Sequence, residues 1–293
     1  MPKILNVFNR INSLRERYYK AATGKASLLK LISETEIAEQ VYNSNAIENS
    51  TLTLEETEKI LLQIDLERYI SEREIFEAKN LARVVSYIDK KAKEQELTLE
   101  VILLLHKMLI SNIHDDIAGR FRKDNEYVRV GNHIAPGPKE ILPRLEKMFG
   151  EYNAASHENI IKRIAKLHLD FEFTHPFIDG NGRIGRIINN YLLMREGFVP
   201  INIKFIDRKM YYEAFAEFQT KGSTAIMEEI VGKALTNSYH KRLAYLEGKK
   251  IIALADYAKQ NKLSHSNLIN KANRQTIDAF LEKNIWKIGI DKY

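Results

Sequence analysis

Residues 175–186 read His-Pro-Phe-Ile-Asp-Gly-Asn-Gly-Arg-Ile-Gly-Arg, a base, a carboxylate, a glycine-rich turn and two arginines within twelve positions. His175 is the group among them whose ordinary pKa suits proton abstraction near neutral pH. Asp179 is a hard oxygen donor of the kind that shares Mg²⁺ with phosphate oxygens. Backbone N–H groups around Gly180, Asn181 and Gly182, at the start of a helix, form an anion cradle. Arg183 and Arg186 fall on one side of the first helical turn and can grip further phosphate oxygens in forked geometry. Such a set suits transfer of part of a nucleotide. A histidine met alone here would read as a cap or a core residue, and it is the neighbours that favour the base.

Two helices must frame this turn. Ile160, Ile161, Ile164, Leu167, His168 and Phe171 recur at helical spacing and predict a helix over about 158–172 that delivers His175. Ile184, Ile187, Ile188, Tyr191 and Leu192 predict a second over about 183–196. Upstream, about 5–41 reads as helical, whereas the small polar residues of about 42–50 predict only a short helix. Thr53 and Glu56 form a capping box for a helix to about Leu62. Ile75, Ala78, Leu81, Val85 and Ile88 give one buried face over about 68–92, and Thr98 caps a helix to about Ser111. Alternating β-branched residues around Gly131-Asn132 predict a hairpin over about 127–135. Pro136-Gly137-Pro138 closes it ahead of a helix over about 140–153, and more helices follow over about 207–220 and 223–246. The expected fold class is all-α, with one small hairpin.

The chain of 293 residues is long enough for two or three units. It contains no cysteine, which excludes disulfides, thiolate metal sites and cysteine nucleophiles. The N-terminal stretch lacks a signal-peptide core. The most apolar run, Val101 to Ile110, is interrupted by His106 and Lys107 and too short to span a bilayer. A cytoplasmic protein with no membrane association is expected. Of the net charge of +6, residues 240–293 hold all the excess, with 11 Lys/Arg against 5 Asp/Glu. The bulk of the chain therefore gives no sign of nucleic-acid binding.

The run 175–186 resembles the Fic (Fido) family motif, His-x-Phe-x-Asp/Glu-Gly-Asn-Gly-Arg-x-x-Arg, with every specified position filled. The order around it agrees, from Gly119-x-x-Arg122 through hairpin and helix to the motif and its helix. The resemblance implies a Fic-type helical core with a hairpin flap and AMP transfer from ATP to a protein hydroxyl. His175 would be the catalytic base, Asp179 the Mg²⁺ ligand, and Gly180, Asn181, Gly182, Arg183 and Arg186 the phosphate contacts. The hairpin 127–135 would dock the target protein, although an ordinary surface hairpin reads the same. Tyr211 and Tyr212 lie where the family has an aromatic on the adenine side, and Gln219 stands where some relatives carry asparagine. Transfer of other groups, such as phosphocholine, is left open by the motif.

Ser44-Asn45-Ala46-Ile47-Glu48-Asn49 resembles the family's inhibitory motif, Ser/Thr-x-x-x-Glu-Gly/Asn. The implied brake pairs Glu48 with Arg186, so that ATP loses a phosphate partner. Ser44 and Asn49 complete that motif. Some members use the same glutamate to activate water and remove AMP, and the sequence does not decide between adding and removing. The domains expected are an N-terminal helical region at 1–99, a catalytic domain at 100–247 and a tail domain at 248–293.

In that tail a helix is expected over Ile251–Lys259, a second from Ser264 or Ser266 to about Arg274, and an aromatic-rich extended end. This resembles the winged helix-turn-helix domain attached to some Fic proteins. Lys271, Arg274, Lys283, Lys287 and Lys292 would then meet phosphates. A docking or homodimer module with a solvated basic face is the competing reading. From it comes an alternative for the whole chain, a DNA-binding regulator whose core senses nucleotide; the intact motif favours the enzyme.

Overall fold

The helical periodicities are realised in a computed structural model that describes residues 2–131 and 133–291. Asn132 of the hairpin turn and Lys292 of the basic tail lie outside the described residues. The chain forms two compact units, one of residues 37–231 and one of residues 1–36 with 232–293.

Helices α1 (Pro2–Ala22) and α2 (Ala26–Ile47) divide the stretch expected to be helical over about 5–41. The break falls at Gly24, whose φ of +74° is left-handed. No new helix begins near 42, because the small polar residues there continue α2. Asn43 Nδ2 donates to Glu39 O at 2.8 Å and Asn43 Oδ1 accepts from Phe205 N at 2.8 Å, while Ala46 and Ile47 are buried. The helix thus keeps residues that would otherwise favour turns.

In residues 37–231, α3 (Leu54–Leu62) carries the Thr53/Glu56 capping box. Ser71, Thr98 and Asn159 cap α4 (Glu72–Lys91), α5 (Leu99–Ile110) and α7 (Ile160–Thr174) through side-chain oxygens. Strands β1 (Arg129–Val130) and β2 (His133–Ile134) pair antiparallel, Arg129 opposite Ile134. They precede α6 (Ile141–Ala154). Helix α8 (Asn181–Arg195) is the centre of the unit. Its residues from Ile184 to Met194 are buried on all sides, not on one face as the sequence suggests, because α4, α5 and α7 all pack against it. Its polar residues are satisfied locally where the chain returns: Asn190 exchanges two hydrogen bonds with the backbone of Ile201, at 2.9 and 2.8 Å. Helix α9 (Arg208–Lys221) packs on α7.

In the other unit, the chain after α10 (Ala225–Leu246) runs β3 (Lys250–Ala253), α11 (Leu254–Gln260), α12 (His265–Asn273), β4 (Ala279–Glu282) and β5 (Ile285–Ile290). The helix expected from Ile251 begins only at Leu254. Ile251 and Ile252 instead pair with Gly289 and Ile288, making an antiparallel sheet of order β3-β5-β4. Leu254, Ala258, Leu268, Ala272 and Ala279 form a small core beneath it, with Trp286 and Ile288 packed on. Arg17 holds Glu247 at 2.5 Å and Asp278 at 3.2 Å. Among the described residues no helix is long and apolar enough to cross a membrane.

Candidate active site

His175 ends α7 in a left-handed conformation, φ 47° and ψ 60°, with its N–H donating to Phe171 O at 2.9 Å. Pro176 cannot continue the helix, so the imidazole is turned out of the α7 register at the start of the motif turn. Nδ1 lies 3.3 Å from Glu172 O. A ring N–H pointed at a carbonyl leaves Nε2 as the lone-pair nitrogen. Burial lowers the pKa to about 4, against the pull of that carbonyl, so the ring is neutral at pH 7.

The turn is held from several sides. Asn181 closes it on itself, accepting from Phe177 N and donating to Phe177 O, each at 2.9 Å. Phe177 is stacked on His106 with ring centres 3.7 Å apart. His106 accepts from Gly119 N at 3.0 Å and turns Nε2 toward Asp179 O at 3.1 Å. Arg122, buried, donates to His175 O at 2.9 Å, Glu126 O at 2.9 Å and Pro136 O at 2.8 Å. It therefore joins the ends of the hairpin segment to the base-bearing turn. His133 adds a contact of 2.8 Å to Phe173 O. Beyond these anchors Tyr127, Val130 and Ile134 are exposed.

Asp179 faces a polar pocket also lined by Asn45, Glu48, Arg73, Glu77, Gly180 and Arg183. Its Oδ1 accepts from Gly180 N at 2.6 Å and Arg183 Nη2 at 3.2 Å, and its Oδ2 from Arg73 Nη2 at 3.0 Å. Arg183 also reaches Glu77 at 3.3 Å, and its buried Nε has no partner among the described residues. The amide of Asn45 is buried and likewise unsatisfied. Unsatisfied donors of this kind in a polar recess mark a place for a ligand's oxygens.

Arg186 is fully engaged. Its Nη2 donates to Glu48 Oε1 at 2.9 Å and Ser44 O at 2.8 Å, its Nε to Ser44 Oγ at 2.9 Å, and its Nη1 to Tyr211 Oη at 3.0 Å. Burial opposes its charge, but Tyr211, Glu48 and Glu172 outweigh that and raise its pKa above the usual arginine value. Glu48 also fills the space over Gly182: a Cβ at that position would stand 2.1 Å from Glu48 Oε1. Only glycine there lets the carboxylate lie across the start of α8.

The two tyrosines separate. Tyr211 is 1% exposed and its hydroxyl bridges Arg186 and His168 Nε2, the latter at 2.7 Å. Of the two tyrosines expected on the adenine side, Tyr211 is thus buried as a partner of Arg186. Tyr212 is 40% exposed, and its hydroxyl donates to Ile47 O at 3.1 Å. Arg208 lies over the Tyr212 ring and donates to the Asn49 side chain. Sequence reasoning brought together His175, Asp179, Arg183, Arg186, Ser44 and Glu48. It missed Arg73, Glu77 and Glu172, which stand on other elements or on the polar side of a helix and carry no local signal, and it gave Asn45, inside the Ser44–Asn49 run, no role.

Residues 96–193 match the family model described as the Fic/DOC family. Among curated proteins, the protein adenylyltransferase Fic of Nematostella vectensis is 28% identical over 225 residues, 73% of this chain and 51% of that protein. The protein of the same name from Drosophila melanogaster is 30% identical over 219 residues, 69% of this chain and 43% of that protein. The chain spans about half the length of the curated relatives it matches. A Fic domain containing signaling protein from Bacteroides thetaiotaomicron superposes with a TM-score of 0.72 at 22% identity, over 82% of this chain and 97% of that one. Fic-1 from C. elegans gives a TM-score of 0.73 at 23% identity, over 84% and 74%.

Proposed function

From a chain that carries a Fic/DOC family domain over residues 96–193, we propose a protein adenylyltransferase that moves AMP from ATP to a Ser, Thr or Tyr hydroxyl of a target protein and restrains itself through Glu48. One observation carries this reading: neutral His175, with Nδ1 on a backbone carbonyl, borders the same turn that presents Asp179, Arg183 and Arg186.

In the reaction His175 Nε2 takes the proton of the hydroxyl, whose oxygen forms a bond to the α-phosphorus as the bond to pyrophosphate breaks. The backbone of Gly180, Asn181 and Gly182, with Arg183 and Arg186, holds the phosphates and stabilises the charge that develops. Asp179 fits a Mg²⁺ ion shared with those phosphates. Asp179 lines the polar pocket and would be the residue of this chain that holds the ion. The ion, when bound, supplies charge neutralisation. The exposed hairpin edge at Tyr127, Val130 and Ile134 suits an extended target segment added as a strand.

Residues 248–293 we read as a winged helix-turn-helix-like domain, supported by the order β3-α11-α12-β4-β5 and the sheet β3-β5-β4. Lys271 and Arg274 are exposed for a nucleic acid or protein partner, whereas Lys287 is paired with Glu282 at 2.7 Å.

The test of the reading is transfer of label from α-labelled ATP to protein. His175→Ala abolishes labelling while leaving the fold intact, and labelling that persists in this variant overturns the assignment of the base.

A further inference from the structure

Glu172 takes no part in the steps above. It stands on the last turn of α7 with its side chain 11% exposed, and its Oε2 is 4.0 Å from His175 Nδ1. Its Oε1 is buried and has no hydrogen-bond partner among the described residues. Helix α8 makes room for it, since a Cβ at Gly185 would stand 2.6 Å from Oε1. The groups that face it come from every packed element: Glu48 after α2, Arg186 on α8, Tyr211 on α9 and His168 on its own helix. His175 in turn faces Arg122 and His133. Burial first, and then Glu48, push the Glu172 carboxyl up to about 8, while Arg186 pulls it down. With Glu48 in place it keeps its proton at pH 7.

We propose that Glu172 is a positioning residue for His175, a carboxyl that strengthens the base when Glu48 leaves Arg186. This rests on His175 being the base. Once Glu48 withdraws, its repulsion is gone and Arg186 remains, so the Glu172 pKa falls from its raised position and a larger fraction of Glu172 stands as a carboxylate beside Nδ1–H, the released proton going to solvent. A carboxylate at this range favours imidazolium by about 1–3 pKa units, and a base of higher pKa accepts the hydroxyl proton more readily. Glu48 then acts twice, on the phosphate partner and on the base.

The experiment compares Glu48→Gly with Glu48→Gly/Glu172→Gln. The readouts are kcat/KM for ATP against pH, which reports groups of the free enzyme, and an NMR titration of the His175 imidazole. Glutamine keeps the shape and removes the charge. The acid limb and the His175 titration are expected to move down by about one pH unit. The rate at pH 7 is expected to fall about tenfold, with KM for ATP unchanged. If both titrations are unmoved by the second substitution, the proposal is overturned, whatever happens to the rate. Glu172→Met serves the same comparison if the glutamine variant does not fold. A Glu48→Gly protein that transfers no AMP would instead undo the reading of the site as a transferase. The NMR titration needs no turnover and still decides the coupling.

Discussion

Arg186 Nη2 and Glu48 Oε1 are 2.9 Å apart, and with the bonds from Arg186 to Ser44 this contact ties the end of α2 to helix α8. The same carboxylate lies over Gly182. On the proposed function, a nucleotide phosphate approaching α8 would meet a partner already taken and a space already filled. A charge-assisted bond backed by the two that Arg186 makes to Ser44 is strong enough to hold such a closed state.

Removing the carboxylate should release the site. Glu48→Gly is expected to raise AMP incorporation, including self-modification, by roughly tenfold or more, the ratio set by about 1.4 kcal/mol of preference for the closed state. Ser44→Ala, which loses one of the four bonds to Arg186, should raise it less. Initial rates with labelled ATP check both.

The end of α2 is also held by Tyr212 and Arg208. Tyr212→Phe keeps the ring and removes the bond to Ile47 O, so basal transfer should rise severalfold with KM for ATP unchanged or lowered. A rate that falls with a rising KM would place the hydroxyl on the nucleotide instead.

Arg73 occupies Asp179 Oδ2, so it would compete with the proposed cation for that carboxylate. Arg73→Gln should lower the Mg²⁺ concentration that half-saturates ATP binding, severalfold at low ionic strength, as an exposed ion pair allows. Calorimetric titration of nucleotide at varied Mg²⁺ measures this without turnover.

Stability should depend on pH with two opposing slopes. Burial lowers His106 and His175 to about 4 and His168 to about 3. Below their unfolded value near 6.5 the unfolded chain binds more protons, so this stability, full above about pH 6.5, is lost as pH falls toward 4. Glu172 is raised to about 8. Its contribution is full below about pH 4.5 and is lost as pH rises through 8. Thermal melts should show both losses, and Glu172→Gln should remove the alkaline one alone.

Much of the site was legible because it is local. His175, Asp179, the glycine turn and both arginines lie within one run, and the capping residues Thr53 and Thr98 act on their own helices. The Glu48–Arg186 pair spans 138 residues and could be anticipated only through the motif around Ser44. Arg73 meets Asp179 across 106 residues with no pattern to announce it. Glu172 sits on what reads as the polar side of an amphipathic helix, and its burial comes from Gly185 on the next one. Adjacent tyrosines give no sign which faces inward, and the packing of α9 on α7 turns Tyr211 in. Ile251-Ile252-Ala253 suits helix or strand equally at that length. Its partner, β5, lies at the far end of the unit and decides for strand.

The most direct measurement of the central claim is intact-mass analysis of the full chain and of Glu48→Gly after incubation with ATP and Mg²⁺. A restrained adenylyltransferase predicts a gain of one AMP or more that is weak in the parent and strong in the variant. A gain of phosphate alone, or no gain in either protein, with or without added candidate targets, would contradict it.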